Sequence, residues 1–199
     1  MKQDKTAVLL IGYQNDYFAE NGILVSALED SSWMKEMLGN TVRLLDDLKD
    51  SEALLVSTPI QFTSDYSELF EPTGILEIIK NVGAFKAGES GSETISELKA
   101  YGERIKEVPG KRGLNAFSNT ELDEVLSAHG VTHVVLAGVV TSICIDSTGR
   151  AAHERGYRVS VLSDCTAGRT TFEQSFYCEN IFPLYANVTT SAELLGEAG

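Results

Sequence analysis

The chain has 199 residues, 43% of them hydrophobic, which is enough for one substantial core and reads as one domain spanning residues 1–199. Asp and Glu outnumber Lys and Arg by 29 to 16, a net charge of -13. That excludes non-specific nucleic-acid binding, which depends on cations neutralising phosphates. The absence of a signal-peptide core, and of any apolar run near about 20 residues, reads as a soluble cytoplasmic protein with no membrane partner.

Ala7–Ile11 is an uninterrupted apolar run, as expected of a strand buried on both faces, and Gly12-Tyr13 ends it. Gln14 to Gly22 has turn chemistry. A helix capped at Asp30, Ser31 or Ser32 follows, with Met37, Leu38, Val42, Leu45 and Leu48 on one stripe. Ala53 to Ser57 is a second strand, stopped by Thr58-Pro59. Gln61 to Gly91 is the least regular segment, with a short helix after Pro72-Thr73-Gly74. Ser92 to Tyr101 reads as a helix and Arg104 to Val108 as a third strand. Pro109-Gly110-Lys111-Arg112-Gly113 is a loop carrying two cations, and Ser118-Asn119-Thr120-Glu121 has capping-box spacing ahead of a helix to Gly130.

Val134 to Ala137 is another buried strand, broken by Gly138, and Thr141 or Ser142 can cap a helix running to Gly156. Tyr157 to Asp164 is a fifth strand, Phe172 to Leu184 a helix, Ala186 to Thr189 a sixth strand and Ala192 to Leu195 a final turn. This alternation predicts a three-layer, doubly wound α/β fold with a parallel sheet. Ligands of such folds bind beyond the carboxyl ends of strands where the strand order reverses, and Gly12, Lys111 and Cys144 all follow strand ends.

Neither GxGxxG nor GxxxxGK[ST] follows the first strand, so no dinucleotide or P-loop cofactor is implied. Cys144, Cys165 and Cys178 are an odd set without CxxC spacing, consistent with a reducing compartment; Cys165 and Cys178 read as small buried hydrophobes. Cys144 falls in the first turn of a helix just past a buried strand, where unpaired N–H groups and the helix dipole stabilise a thiolate. His129, His133 and His153 read as solvated surface. His153 is roughly 13 Å along the helix from Cys144, too far to serve as its base. No His, Asp or Cys cluster has metal-ligand spacing.

Three stretches carry a family resemblance. Lys111 to Thr120 resembles the K-x-R-Y-S-A-F-x-x-T of the isochorismatase-like cysteine hydrolases, Gly138 to Ile145 their G-V-A-T-D-x-C-V, and Gln14 to Phe18 their Q-N-D-F. Ser163-Asp164 with Ala167 is similar to the family's D-A-x-A-S, so the likeness runs from Val8 to Leu194. It implies a six-stranded parallel sheet, a homo-oligomer and a small-molecule substrate split at a C–N bond. Cys144 would be the nucleophile and Lys111 the residue holding its thiolate. A cis Val139–Val140 bond would turn the Val140 N–H toward an oxyanion, and Tyr13, Phe18 and Phe117 would contact substrate. Two family features are absent. Gly12 stands where the catalytic Asp belongs, leaving Asp16 either as a substitute base or as a loop-holding carboxylate. Thr58-Pro59-Ile60-Gln61 replaces the metal-binding D-x-H of nicotinamidases, so nicotinamide is not the expected substrate. The alternative to a hydrolase is a non-hydrolytic member that binds a small carbonyl compound in the same pocket.

Overall fold

A computed structural model describes residues 2–27 and 31–196. The elements, in chain order, are β1 (Thr6–Ile11), α1 (Asn15–Phe18), α2 (Ser31–Leu48), β2 (Leu54–Thr58), α3 (Ile75–Val82), α4 (Ser96–Lys99) and β3 (Ile105–Glu107). They continue with α5 (Leu122–Ala128), β4 (His133–Val139), α6 (Asp146–Glu154), β5 (Arg158–Ala167), α7 (Thr171–Phe176), β6 (Asn187–Thr189) and α8 (Ser191–Leu195). All six strands are parallel, in the order β3-β2-β1-β4-β5-β6. The sheet is therefore the six-stranded α/β arrangement expected.

Chain order reverses between β1 and β4, the two central strands. Because βαβ crossovers are right-handed, winding outward in both directions puts α2 and α6 on opposite faces. Every residue of β1 and all but the first of β4 are buried, as their unbroken apolar runs require.

Several local expectations are corrected. Gly138 does not end its strand. It lies within β4 at φ +126°, and a Cβ there would meet the Ile11 carbonyl oxygen at 1.8 Å, so its missing side chain is what lets β1 and β4 approach. The segment from Phe172 is not one helix, because α7 passes into a wider turn at Tyr177–Ile181 and a tight one at Phe182–Leu184 around Pro183. Ser92 to Tyr101 keeps only the single turn α4. The Ser118 capping box does not form: Asn115 Oδ1 accepts from the Phe117 and Ser118 N–H groups instead, and α5 starts at Leu122. A complete capping box occurs at Thr190 and Glu193, opening α8. The expected cap at Asp30 lies outside the described residues.

Candidate active site

The site lies beyond the carboxyl ends of β1 and β4, where the strand order reverses. Its position is fixed from β1 outward. After Gly12 the chain turns, and the buried Gln14 amide fastens the exit of β2: Nε2 donates to the Ile60 and Ser92 carbonyls at 2.7 Å each, and Oε1 accepts from the Ile60 N–H at 2.8 Å. Ile60 in turn bridges Lys111 backbone to backbone. Gln14 thus acts at a distance on where Lys111 begins.

Lys111 is 0% exposed, with Nζ donating to the Gly113 carbonyl at 2.6 Å and lying 3.5 Å from Cys144 Sγ. A buried amine costs free energy unless it is paired, and among the described residues these are its two side-chain hydrogen-bond partners. The loop's second cation, Arg112, turns outward to Glu68.

Cys144 is 4% exposed and sits in a widened turn, Thr141–Ile145, in which the Val140 carbonyl accepts from both the Ile143 and Ile145 N–H groups at 3.1 and 3.2 Å. The i→i−5 bond makes this a π-type turn, an arrangement frequent at functional sites. Neither Thr141 nor Ser142 caps it. The Thr141 hydroxyl donates to Gln174 Oε1, and Ser142 hydrogen-bonds Glu173. Burial raises the Glu173 carboxyl, but hydrogen bonds from Ser142 and Arg169 outweigh it and hold the group below the usual carboxylate range. The Val139–Val140 peptide is cis.

The expected substrate contacts divide. Tyr13 is 2% exposed and directed under α2, its hydroxyl 2.7 Å from Thr41 Oγ1 and donating to the Cys165 carbonyl at 3.3 Å, so it belongs to the core and not to a substrate surface. Phe117 is likewise buried, stacked on Tyr157 and covered by the Arg155 guanidinium 4.6 Å from its ring centre. Phe18 is half-buried, stacks on the Tyr13 ring at 5.5 Å and lines a cavity. Asp16 turns its carboxylate to the Phe85 N–H at 2.7 Å, against the Gly91 backbone, which is the loop-holding role. His133 is not solvated surface: its ring is held between the Ser160 and Thr6 hydroxyls at 2.8 and 3.5 Å, at the opposite end of the sheet.

At the β1 exit, Gly12 has φ +75°, and a Cβ built there would stand 2.7 Å from the Val139 carbonyl oxygen. In register with Ile11 on the neighbouring strand, Thr58 keeps a buried hydroxyl that finds no hydrogen-bond partner among the described residues.

Residues 6–193 match the isochorismatase domain. The chain belongs to the isochorismatase family. It is 29% identical to a ureidoacrylate amidohydrolase of Caulobacter segnis, over 98% of this chain and 86% of that one. It is also 29% identical to nicotinamidase 3 of Arabidopsis thaliana, over 86% of this chain and 76% of that one. A crystal structure of a cysteine hydrolase from Pseudomonas syringae pv. phaseolicola shares the fold with a TM-score of 0.85 at 22% identity, covering 99% of this chain and 93% of that one.

Within the stretch that resembles Q-N-D-F, Tyr17 follows Gln14-Asn15-Asp16 and so takes the place of the F. Its ring packs on Phe85 at 5.3 Å. Burial pushes the phenol well above its ordinary range, with Cys144 and then Asp16 adding to the shift. At the family's metal-binding position, Thr58 to Gln61 offer no carboxylate or imidazole, and among the described residues no three His, Cys, Asp or Glu side chains converge. The residues present do not fit that metal.

Proposed function

We propose that this chain hydrolyses the C–N bond of a small amide or ureido compound, with Cys144 as nucleophile. The carrying observation is the fully buried Lys111 Nζ at 3.5 Å from Cys144 Sγ. A cation there holds a sulfur anion, and the proton given up by the thiol rests on the lysine. The sulfur attacks the carbonyl carbon, forming a C–S bond, and the oxyanion develops toward the Val140 and Cys144 N–H groups. The C–N bond then breaks, the leaving amine taking the proton from Lys111. Water adds to the thioester, the C–S bond breaks, and acid and free thiol are regenerated. Lys111 thereby carries both proton transfers for which the family uses the Asp missing at Gly12.

The test is release of ammonia or amine from a panel of small amides and ureido compounds, with Cys144→Ala as the control. Turnover by the wild-type chain that Cys144→Ala removes, by at least about 1000-fold, supports the reading. No turnover of any compound, or turnover surviving Cys144→Ala, sinks it.

One observation favours the non-hydrolytic alternative. The Gly12 backbone lies in the left-handed region, against the Val139 carbonyl, so a carboxylate is not merely absent: the present backbone leaves no room for its Cβ. Tight binding of carbonyl compounds without product would speak for that reading.

A further inference from the structure

The strand beside β4 does not run past it evenly. Where β4 advances from Leu136 to Gly138, its partner β5 advances from Val161 to Thr166, so β5 bulges at residues 162–165. The bulge closes on itself, the Thr166 hydroxyl donating to the Leu162 carbonyl at 2.8 Å. Past it, Thr166 and Ala167 pair with Gly138 and Val139, the end of β4 and the approach to Val140.

One buried side chain ties this bulge to the nucleophile turn. Gln174 of α7 is 3% exposed, and both ends of its amide are bonded. Its Nε2 donates to the Ser163 carbonyl at 3.2 Å and to Thr166 Oγ1 at 3.0 Å, while its Oε1 accepts from the Thr141 hydroxyl. Val140 is therefore held on both sides, through Val139 in register with Ala167 and through Thr141 bonded to Gln174. Among the described residues Gln174 hydrogen-bonds neither Cys144 nor Lys111, so it acts on the backbone around the thiol and not on the thiol-amine pair.

We propose that Gln174 is a positioning residue for acyl transfer: through Thr141 it fixes the Val140 N–H where the oxyanion develops. The inference rests on the hydrolase reading above, which supplies that oxyanion. Loss of the Gln174 amide should misplace the donor and leave the nucleophile intact, and a misplaced donor lowers the rate of steps that pass through an oxyanion.

Two reactions of the same sulfur separate these effects on the full chain. With p-nitrophenyl acetate the sulfur attacks the ester carbonyl, an oxyanion forms, and the C–O bond breaks as nitrophenolate leaves with the electron pair. With iodoacetamide the sulfur displaces iodide from carbon and no oxyanion forms. The thiol's proton passes to the buffer in both, and peptide mapping reads each product at Cys144. Gln174→Met, which keeps the length of the side chain and removes the amide, should slow acylation about 10- to 100-fold while alkylation stays within about threefold. Thr141→Val should do the same, and Thr141→Ser should recover most of the acylation lost. The double variant should be no slower than the slower single one, because both break one link. If Gln174→Met does not fold, the two Thr141 variants carry the comparison. Unchanged acylation in the folded variants, acylation and alkylation falling together, or Thr141→Ser as slow as Thr141→Val overturns the positioning role and leaves the hydrolase standing. Failure of the wild-type chain to acylate at Cys144 overturns the hydrolase reading and the positioning role with it.

Discussion

The two strand exits that meet at the switch point are built differently. At the β4 exit, side chains do the work: a π-type turn presents Cys144, and a lysine reached through Gln14 and Ile60 is brought to its sulfur. Where β1 and β4 pack against each other the backbone does the work. Gly12 and Gly138 each lack the Cβ that would collide with a carbonyl of the neighbouring strand, Val139 in one case and Ile11 in the other. Chemistry is concentrated beyond the β4 exit and close packing along the β1–β4 seam. A family member can thus keep a paired thiol and amine while the position opposite carries no side chain.

The largest effect that would sharpen this contrast lies on the β4 side. Lys111→Met keeps the buried stem and removes the nitrogen, and should lower kcat/KM on any amide turned over by about 10² to 10⁴ while thermal unfolding stays cooperative. A variant with undiminished turnover would move the proton transfers elsewhere.

Packing between β1 and β4 should answer in stability. Gly138→Ala places a Cβ 1.8 Å from the Ile11 oxygen and Gly12→Ala one 2.7 Å from the Val139 oxygen, both at positive φ. The first should cost about 3 kcal/mol or more and the second about 1–3 kcal/mol in denaturant titrations. The reverse order, or no loss in either, would show that the strands have room to separate. The same geometry makes Gly12→Asp a poor restoration of the family carboxylate.

The smallest effect concerns the far end of the sheet, where titration and not catalysis is at stake. Burial, and then Arg158, lower the His133 imidazole to about 4. An unfolded histidine titrates near about 6.5. The folded state therefore binds fewer protons between those values: the contribution is fully present above about 6.5 and lost as pH falls toward 4. His133→Asn should flatten the fall of Tm between pH 6.5 and 4 relative to the wild-type chain. Parallel curves would remove His133 from the acid response.

The sheet was legible because residues buried on both faces leave continuous apolar runs, and β1 and β4 have them. The Cys144–Lys111 pair was legible from motif order, since each follows a strand end on the same edge. Other features depend on geometry that residue type does not encode. A π-type turn and an α-turn use the same residues, differing in which N–H reaches the Val140 carbonyl. Tyr13 and Phe117 are aromatic at suggestive positions, but the turn at Gly12 is followed by a Tyr13 packed under α2, and Phe117 lies beneath Arg155. His133 begins a strand and looks exposed in sequence. Its partners Thr6 and Ser160 come from two other strands that only the sheet brings alongside.

The most direct measurement of the central claim, that Lys111 makes Cys144 a nucleophile, is residue-resolved alkylation by iodoacetamide at pH 7.5, read by peptide mass spectrometry. Burial raises the Cys165 thiol to about 12 and the Cys178 thiol to about 11, so both should react slowly. The account predicts that Cys144 is modified at least about tenfold faster than either, and that Lys111→Met removes the advantage. Modification of Cys144 no faster than Cys178, or an advantage that survives Lys111→Met, would contradict it.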